Sequence, residues 1–423
     1  MPEISEQEQL EICITRMPWK DIEIGLFLVW TGDGQAIELQ VENLARPSMV
    51  GQIHIGRIQK YLPSLHAAFV DIADQKKVFL PVKSPDELYY VRRKSKSEGI
   101  HGGDEILLQI IADPIKSKDA IGSSDIVFKS ADVIAHFGAG ESGISRKISG
   151  QDRRRLKDFL SACQGGNYHL TLRTSAASLG EEELTGQVKA LVEQMEDFRA
   201  TIGQQALFTA FLPDQPLWME RLMTYSAGQI ASITSDLEEV IASFAGERDN
   251  SLHRQGLKGC LRIRRADSRL ADYAPLFHAY RDEYPLYQLR NLTRLMKEIS
   301  SRTVWLPCGG NIVIEQTEAL NVIDINTGKM KAGSGKQDAI LTCNLQAAEE
   351  IARQMRLRNL SGIIIIDFIN MRDKRALTRV MEHLSSCCKV DPQEVSLVDV
   401  TALGLVEMTR QKKYASLKQI LSS

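Results

Sequence analysis

Leu320-Asn321-Val322-Ile323-Asp324-Ile325-Asn326 and Gly362-Ile363-Ile364-Ile365-Ile366-Asp367-Phe368 decide how this chain is read. Apolar, β-branched runs of this kind read as strands, here over 320–325 and 363–368, with a further strand over 311–315. The run at 363–368 reads as a buried strand. After a Gly- and Lys-rich loop at 328–336, residues 338–357 place Leu341, Leu345, Ala348, Ile351, Ala352 and Met355 at helical spacing. Gly362 closes that helix, and a second helix (374–385) and a strand (395–400) follow. Strand, helix and strand in this order need a sheet with helices packed on it.

Both runs carry an acid where an apolar residue belongs. Asp324 sits near the carboxyl end of its strand, with Asn326 two residues on and therefore on the same face. Asp367 ends a run of four isoleucines. A carboxylate on an otherwise buried strand is costly unless it is paired or binds a cation. In a strand–helix–strand unit both acids fall at the carboxyl end of the sheet, where ligand sites of open α/β sheets form. Two convergent carboxylates and an amide suit Mg²⁺, which takes hard oxygen ligands and keeps positions open for water and phosphate. Two plainer readings stand beside this one. Asp-Ile-Asn-Thr-Gly also reads as a strand end running into an Asx turn, and Asp367 as a helix cap. Lys329, Lys331 and Lys336 in the following loop suit either a polyanion or water.

Towards the N-terminus, 22–30 and 35–40 read as a hairpin through Gly32-Asp33-Gly34. Short strands over 51–61, 67–72, 77–81 and 104–112 suggest a small closed barrel such as an OB-fold. The charged stretch 84–103, with Arg92-Arg93-Lys94-Ser95-Lys96, reads as a solvated loop. Phe69 and Phe79 lie on successive barrel strands, with Lys118 after the last. They suit stacking of unpaired bases and a phosphate backbone, or two core rings and a surface lysine. Residues 126–207 are mixed: a strand over 126–134, a Gly-rich stretch over 137–143, a basic helix from Asp152, a strand over 169–174 and a helix over 181–201. Arg173-Thr174 joins a guanidinium fork to a hydroxyl, good chemistry for a terminal phosphate; the alternative is an exposed strand end. Residues 246–251 read as a loop in a fourth region.

The chain has 423 residues, room for roughly three domains of about 150 residues. With 43% hydrophobic and 25% charged residues it is neither disordered nor fibrous. Lys plus Arg number 52 against 54 acids, a formal charge of −2, so any nucleic-acid surface must be a local patch. Seven cysteines form no C-x-x-C pair, and Cys387-Cys388 is a poor zinc half-site. No apolar run approaches the roughly 18 residues that span a bilayer. The acidic start, 1–11, lacks a secretory pattern, so a cytoplasmic protein is expected.

Further stretches resemble the ribonuclease E/G family of bacterial endoribonucleases. Gly51-Gln52-Ile53-His54-Ile55-Gly56-Arg57-Ile58, Pro63-Ser64-Leu65-His66-Ala67-Ala68-Phe69-Val70-Asp71 and Phe79-Leu80-Pro81 resemble its OB-fold. Gly143-Ile144-Ser145-Arg146-Lys147 resembles the motif after that barrel, and Leu172-Arg173-Thr174 the sensor of an RNA 5′-monophosphate. Thr317 to Asn326, Asn344-Leu345, Glu350 to Arg358, Ile366-Asp367-Phe368-Ile369 and Gly404-Leu405-Val406-Glu407-Met408-Thr409-Arg410-Gln411 resemble the catalytic domain.

The resemblance implies an α/β and α+β multidomain chain. An RNase H-like subdomain (1–47 and 208–299) is interrupted by an OB-fold barrel (48–125) and a 5′-sensor subdomain (126–207). A DNase I-like catalytic subdomain (300–423) follows. It implies that Asp324 and Asp367 hold Mg²⁺ and that Asn326 positions the attacking water or the scissile phosphate. It further implies that Phe69, Phe79 and Lys118 hold single-stranded RNA, and that Arg173 and Thr174 read its 5′ phosphate. Two departures stand out. Residues 415–423 close the chain without the family's Cys-Pro-x-Cys motif, so no zinc-linked dimer is expected, and Ala112 stands where the family often has a basic residue. The expectation is a Mg²⁺-dependent endoribonuclease of single-stranded RNA, free of the membrane. The alternative is a non-catalytic RNA-binding protein of the same fold.

Overall fold

The computed structural model describes residues 9–95, 97–114, 118–130, 132–138, 140–146, 148–163, 166–213, 216–245, 260–263, 270–328 and 336–422. Lys329 and Lys331 lie outside the described residues, as does Lys147. The chain forms two compact units. One contains Met1–Ser48, Tyr225–Asp249 and Asp272–Ser423; the other contains Met49–Thr224 and Asn250–Ala271.

The first unit holds two sheets. Its six-stranded sheet runs in the order Thr303–Trp305, Asn311–Gln316, Leu320–Asn326, Gly362–Asp367, Val406–Arg410 and Val395–Val400. Leu320–Asn326 and Gly362–Asp367 pair in parallel, and the other neighbours are antiparallel. The helices Lys336–Arg358 and Lys374–Cys388 cover one face. There Ile312, Ile323, Ile325, Ile364, Ile366 and Met408 pack on Ala348, Ile351, Met355, Val380 and Leu384. Cys387 and Cys388 are buried in this layer.

Because a strand alternates its side chains, the residues between face the other way. The four-isoleucine run is therefore not buried on both sides: Ile364 and Ile366 are fully buried, whereas Ile363 is 50% exposed. The run cannot reveal this, since nothing in it says that helices cover only one face. The long helix ends at Asn359, whose left-handed φ of 48° lets the chain turn, rather than at Gly362, which opens the next strand.

The second sheet of this unit is the meander Leu10–Trp19, Ile22–Trp30 and Ala36–Asn43, extended in parallel beyond Leu10–Trp19 by Ile230–Ser235 and then Phe277–Ala279. Arg353 Nη1 donates to Ala36 O (2.7 Å) and Arg356 Nε to Ile37 O (3.1 Å), fastening the long helix to this sheet.

In the second unit, Ile53–Leu62, Ala67–Asp71, Lys77–Pro81, Ala120–Ser123 and Glu105–Ala112 close a five-stranded barrel. The parallel pairing of Lys77–Pro81 with Ala120–Ser123, the third and fifth barrel strands in chain order, is that of an OB-like domain. Gly56 permits the tight closure: a Cβ there would lie 2.5 Å from Val70 Cγ1 and 3.0 Å from Asp71 O. The charged stretch before Glu105 is not wholly loop. It contains the strand Tyr90–Arg92, and Arg92 pairs with Glu105 at 2.7 Å.

Beyond the barrel, the strand expected over 126–134 is two antiparallel strands, Val127–Lys129 and Val133–Phe137, since Ser130 makes the turn by bonding back to Val133. They join Tyr168–Leu172 and Gly143–Ile144 in a four-stranded sheet backed by the helices Gly150–Ala162 and Glu181–Ile202. Among the described residues no helix is long and apolar enough to cross a membrane.

Candidate active site

The open face of the six-stranded sheet carries the acids. Asp324 and Asp367 are register partners on the two parallel strands, one strand spacing of about 4.8 Å apart. Asp324 is half-buried and Asp367 exposed, and among the described residues neither forms an ion pair. Asn326 lies on the same face and its Nδ2 donates to Asp324 Oδ2 (2.9 Å), fixing one carboxylate oxygen. Behind the pair, fully buried Asn344 on the long helix donates from Nδ2 to Ile369 O (2.8 Å) and accepts from Ile369 N through Oδ1 (3.1 Å). That clamp sets the course of the chain leaving Asp367. Glu407 shares the face, beside Ile365. Among the described residues, these two neighbouring carboxylates have no cationic partner and no helix packs on their face, which makes a donor set of hard oxygens that fits a divalent metal.

The barrel brings Phe69 and Phe79 together as cross-strand partners, ring centroids 5.7 Å apart and edge-on at 69°. Both are half-buried on the outer wall, and Ile121, 39% exposed, is the neighbour of Phe79 on its other side. Lys118 is exposed two residues before the strand that carries Ile121. Arg57 lies over the ring of Phe208 at 5.8 Å, a further aromatic–cation pair in this unit that sequence reasoning did not single out. Its signal, a lone Phe distant in sequence, is unreadable without the pairing of residues 208–210 against the barrel. Ala112 is buried in the barrel wall.

Arg173 and Thr174 are exposed at the end of Tyr168–Leu172. The Thr174 and Ser145 hydroxyls share a hydrogen bond of 2.9 Å. Ser145 N donates to Leu172 O, and Arg153 Nη1 donates to Ser145 O (3.0 Å). The segment that begins Gly143-Ile144-Ser145 is thereby held against the Arg173-Thr174 corner. On the same strand His169 stacks on His136 (centroids 4.3 Å, 13°), and with Asp125 they offer ligand atoms within 4.8 Å of one another. Their nitrogens are largely committed: His136 to Asp125 (2.9 Å) and Thr171 (3.1 Å), His169 Nδ1 to Gly138 O (3.2 Å). Parallel rings also aim their lone pairs side by side instead of at one point. The cluster fits a hydrogen-bond network better than a metal site.

The sequence model described as the ribonuclease E/G family matches residues 132–413. Ribonuclease G of Escherichia coli (strain K12) is 31% identical over 401 residues, covering 91% of this chain and 77% of that protein. Ribonuclease G of Haemophilus influenzae (strain Rd) is 28% identical, covering 92% and 77%. Ribonuclease E of Nostoc sp. (strain PCC 7120) is 29% identical, covering 86% of this chain and 51% of that protein. With a family match over most of its length and a 31% identical relative aligned over 91% of it, the chain belongs to the ribonuclease E/G family and is an endoribonuclease.

Proposed function

We propose that the chain is a cytoplasmic, Mg²⁺-dependent enzyme that cuts single-stranded RNA internally. It leaves 5′-phosphate and 3′-hydroxyl ends and reads a 5′-monophosphate on its substrate. The observation that carries this reading is the side-by-side register of Asp324 and Asp367 on an uncovered sheet face. The Asp324 and Asp367 carboxylates would hold the ion. When bound, it stabilises the charge that grows on the scissile phosphate. Asn326, its amide nitrogen anchored on Asp324, presents its carbonyl oxygen to the attacking water or its amide to the phosphate. Single-stranded RNA stacks on Phe69 and Phe79 and follows Lys118. Arg173 and Thr174 take the terminal phosphate as fork and hydroxyl.

The subdomain plan read from the sequence is retained as part of the proposal. The meander of residues 10–43 with added parallel strands from 230–235 and 277–279 supports an RNase H-like part drawn from both ends of the inserted segment. The sheet backed by the Lys336–Arg358 and Lys374–Cys388 helices supports a DNase I-like part at 300–423.

Cleavage of a 5′-monophosphorylated oligoribonucleotide tests the reading. Discrete fragments with Mg²⁺ and none with EDTA are expected. Asp324→Asn and Asp367→Asn should cut at least about a hundredfold more slowly, since charge-stabilising groups contribute on that scale, while binding RNA as the wild type does. Near-normal turnover in either variant refutes the assignment.

A further inference from the structure

Trp305 is 66% exposed, while Trp19, Trp30 and Trp218 are each at least half-covered. A single exposed aromatic is unremarkable by itself; its place in the sheet is what gives it meaning. Trp305 opposes Asn311, and Asn311 opposes Asn326, so the three form one row across neighbouring strands and face the same way. The adjacent row, two residues along, is Thr303, Val313, Asp324 and Asp367. Val304, between the two rows on its strand, packs into the core instead, which fixes the outward direction of Trp305. The indole therefore stands on the open face that bears the carboxylates, two strand spacings or about 10 Å from Asn326. Asn311 lies between them.

We propose that Trp305 is a positioning residue whose indole stacks on a nucleobase adjoining the scissile phosphate, with Asn311 and Asn326 beneath the intervening backbone. The inference rests on the reading of Asp324 and Asp367 as the cutting site. The occupant is an unpaired RNA base because the enzyme class works on RNA, because every base has a π-face, and because stacking on an aromatic ring tolerates sequence. A tryptophan offers the largest such surface of any side chain. Asn311 and Asn326 supply neutral donors and acceptors that a phosphodiester or base edge can use.

The test uses the full chain. A 2′-O-methyl single-stranded oligonucleotide, which binds without being cut, should quench tryptophan fluorescence in the wild type and in Asp324→Asn; Trp305→Phe should lose that quench. In cleavage, Trp305→Ala should lower kcat/KM by about 5- to 150-fold, the loss expected for one stacked base. Trp305→Phe should recover most of it. Wild-type kcat/KM in Trp305→Ala overturns the proposal, as does a ring-independent loss in which Phe and Ala are equally slow. A change in sedimentation alone assigns the indole to a contact between copies and also overturns it. The two readings fail separately. Quenching without any Mg²⁺-dependent cleavage sinks the carboxylate assignment and leaves stacking in place. Cleavage that is indifferent to Trp305 sinks only the stacking.

Discussion

His54 sits 3% exposed on the barrel strand Ile53–Leu62, its Nε2 3.1 Å from Gln52 Oε1 and its Nδ1 without a partner. Burial, with a smaller contribution from the Lys76 ammonium, holds its pKa down from 6.5 to about 4. The unfolded chain takes up a proton on this ring near pH 6.5, and the folded chain resists it until near pH 4. Stability from the neutral ring is therefore complete above about 6.5 and drains away as pH falls towards 4. The shift corresponds to roughly 3 kcal/mol at most. Urea unfolding of the wild type should lose stability across that window, and His54→Gln should flatten it; an unchanged slope between pH 6.5 and 4 would assign the loss to other groups. At this scale the candidate metal-binding acids, Asp324 and Asp367, were the most legible residues, because a carboxylate set in or at the end of an apolar run contradicts the burial its neighbours announce. Trp305 was opaque for the opposite reason: an aromatic on a short strand is what strands ordinarily contain, and only register reveals which face it takes.

The end of the long helix, the end of the Val406–Arg410 strand and the segment at 414–415 meet in a buried polar knot. Arg410 grips Asp391 through Nε and Nη2 (2.8 and 3.0 Å), with both side chains essentially sealed from water. Its Nη1 donates to Asn359 Oδ1 (2.8 Å), and Asn359 Nδ2 donates to Tyr414 O and Ala415 O. Removing one partner leaves a buried charge alone, at a cost of about 3–5 kcal/mol, whereas replacing both with apolar residues is often nearly neutral. Arg410→Met should therefore lower the denaturation midpoint sharply, and Asp391→Leu with Arg410→Met should recover most of the loss. Arg410 pairs with Gly362, the end of that strand opposite Asp367, so the double variant should keep its cleavage rate below the unfolding transition. Equal instability of single and double variants would show that hydrogen bonds from Arg410, not its charge, hold the knot.

Elements with a clear period were readable, and those made by partners were not. Helix 338–357 and strand 395–400 follow from spacing alone. Leu10–Trp19 escaped notice because Cys13 and Thr15 are as buried as Ile12 and Ile14, which erases the alternation that marks a half-exposed strand. Ala120–Ser123 is four residues long, too short to show any period, and becomes a strand only because the barrel needs a fifth.

Across the whole molecule, the candidate chemistry and the candidate grip on RNA fall in different compact units: Asp324 and Asp367 in one, Phe69, Phe79, Arg173 and Thr174 in the other. If each unit has its own duty, variants should divide into kinetic classes rather than all lose activity alike. Replacing Phe69 and Phe79 with alanine should weaken RNA binding by at least about 5-fold, the lower bound for one stacked base. The two losses need not add, since the rings touch each other. Single-turnover cleavage at saturating RNA should then stay near the wild-type rate, because the acids are untouched. Arg173→Ala should form a third class, slowing cleavage of 5′-monophosphorylated RNA much more than of 5′-hydroxyl RNA, since only the former offers a phosphate for the guanidinium. Equal slowing of both substrates would reduce Arg173 to general binding or folding. Loss of the saturating single-turnover rate in the Phe69/Phe79 double variant would mean that the barrel also shapes the cutting step, and the separation of duties would fall.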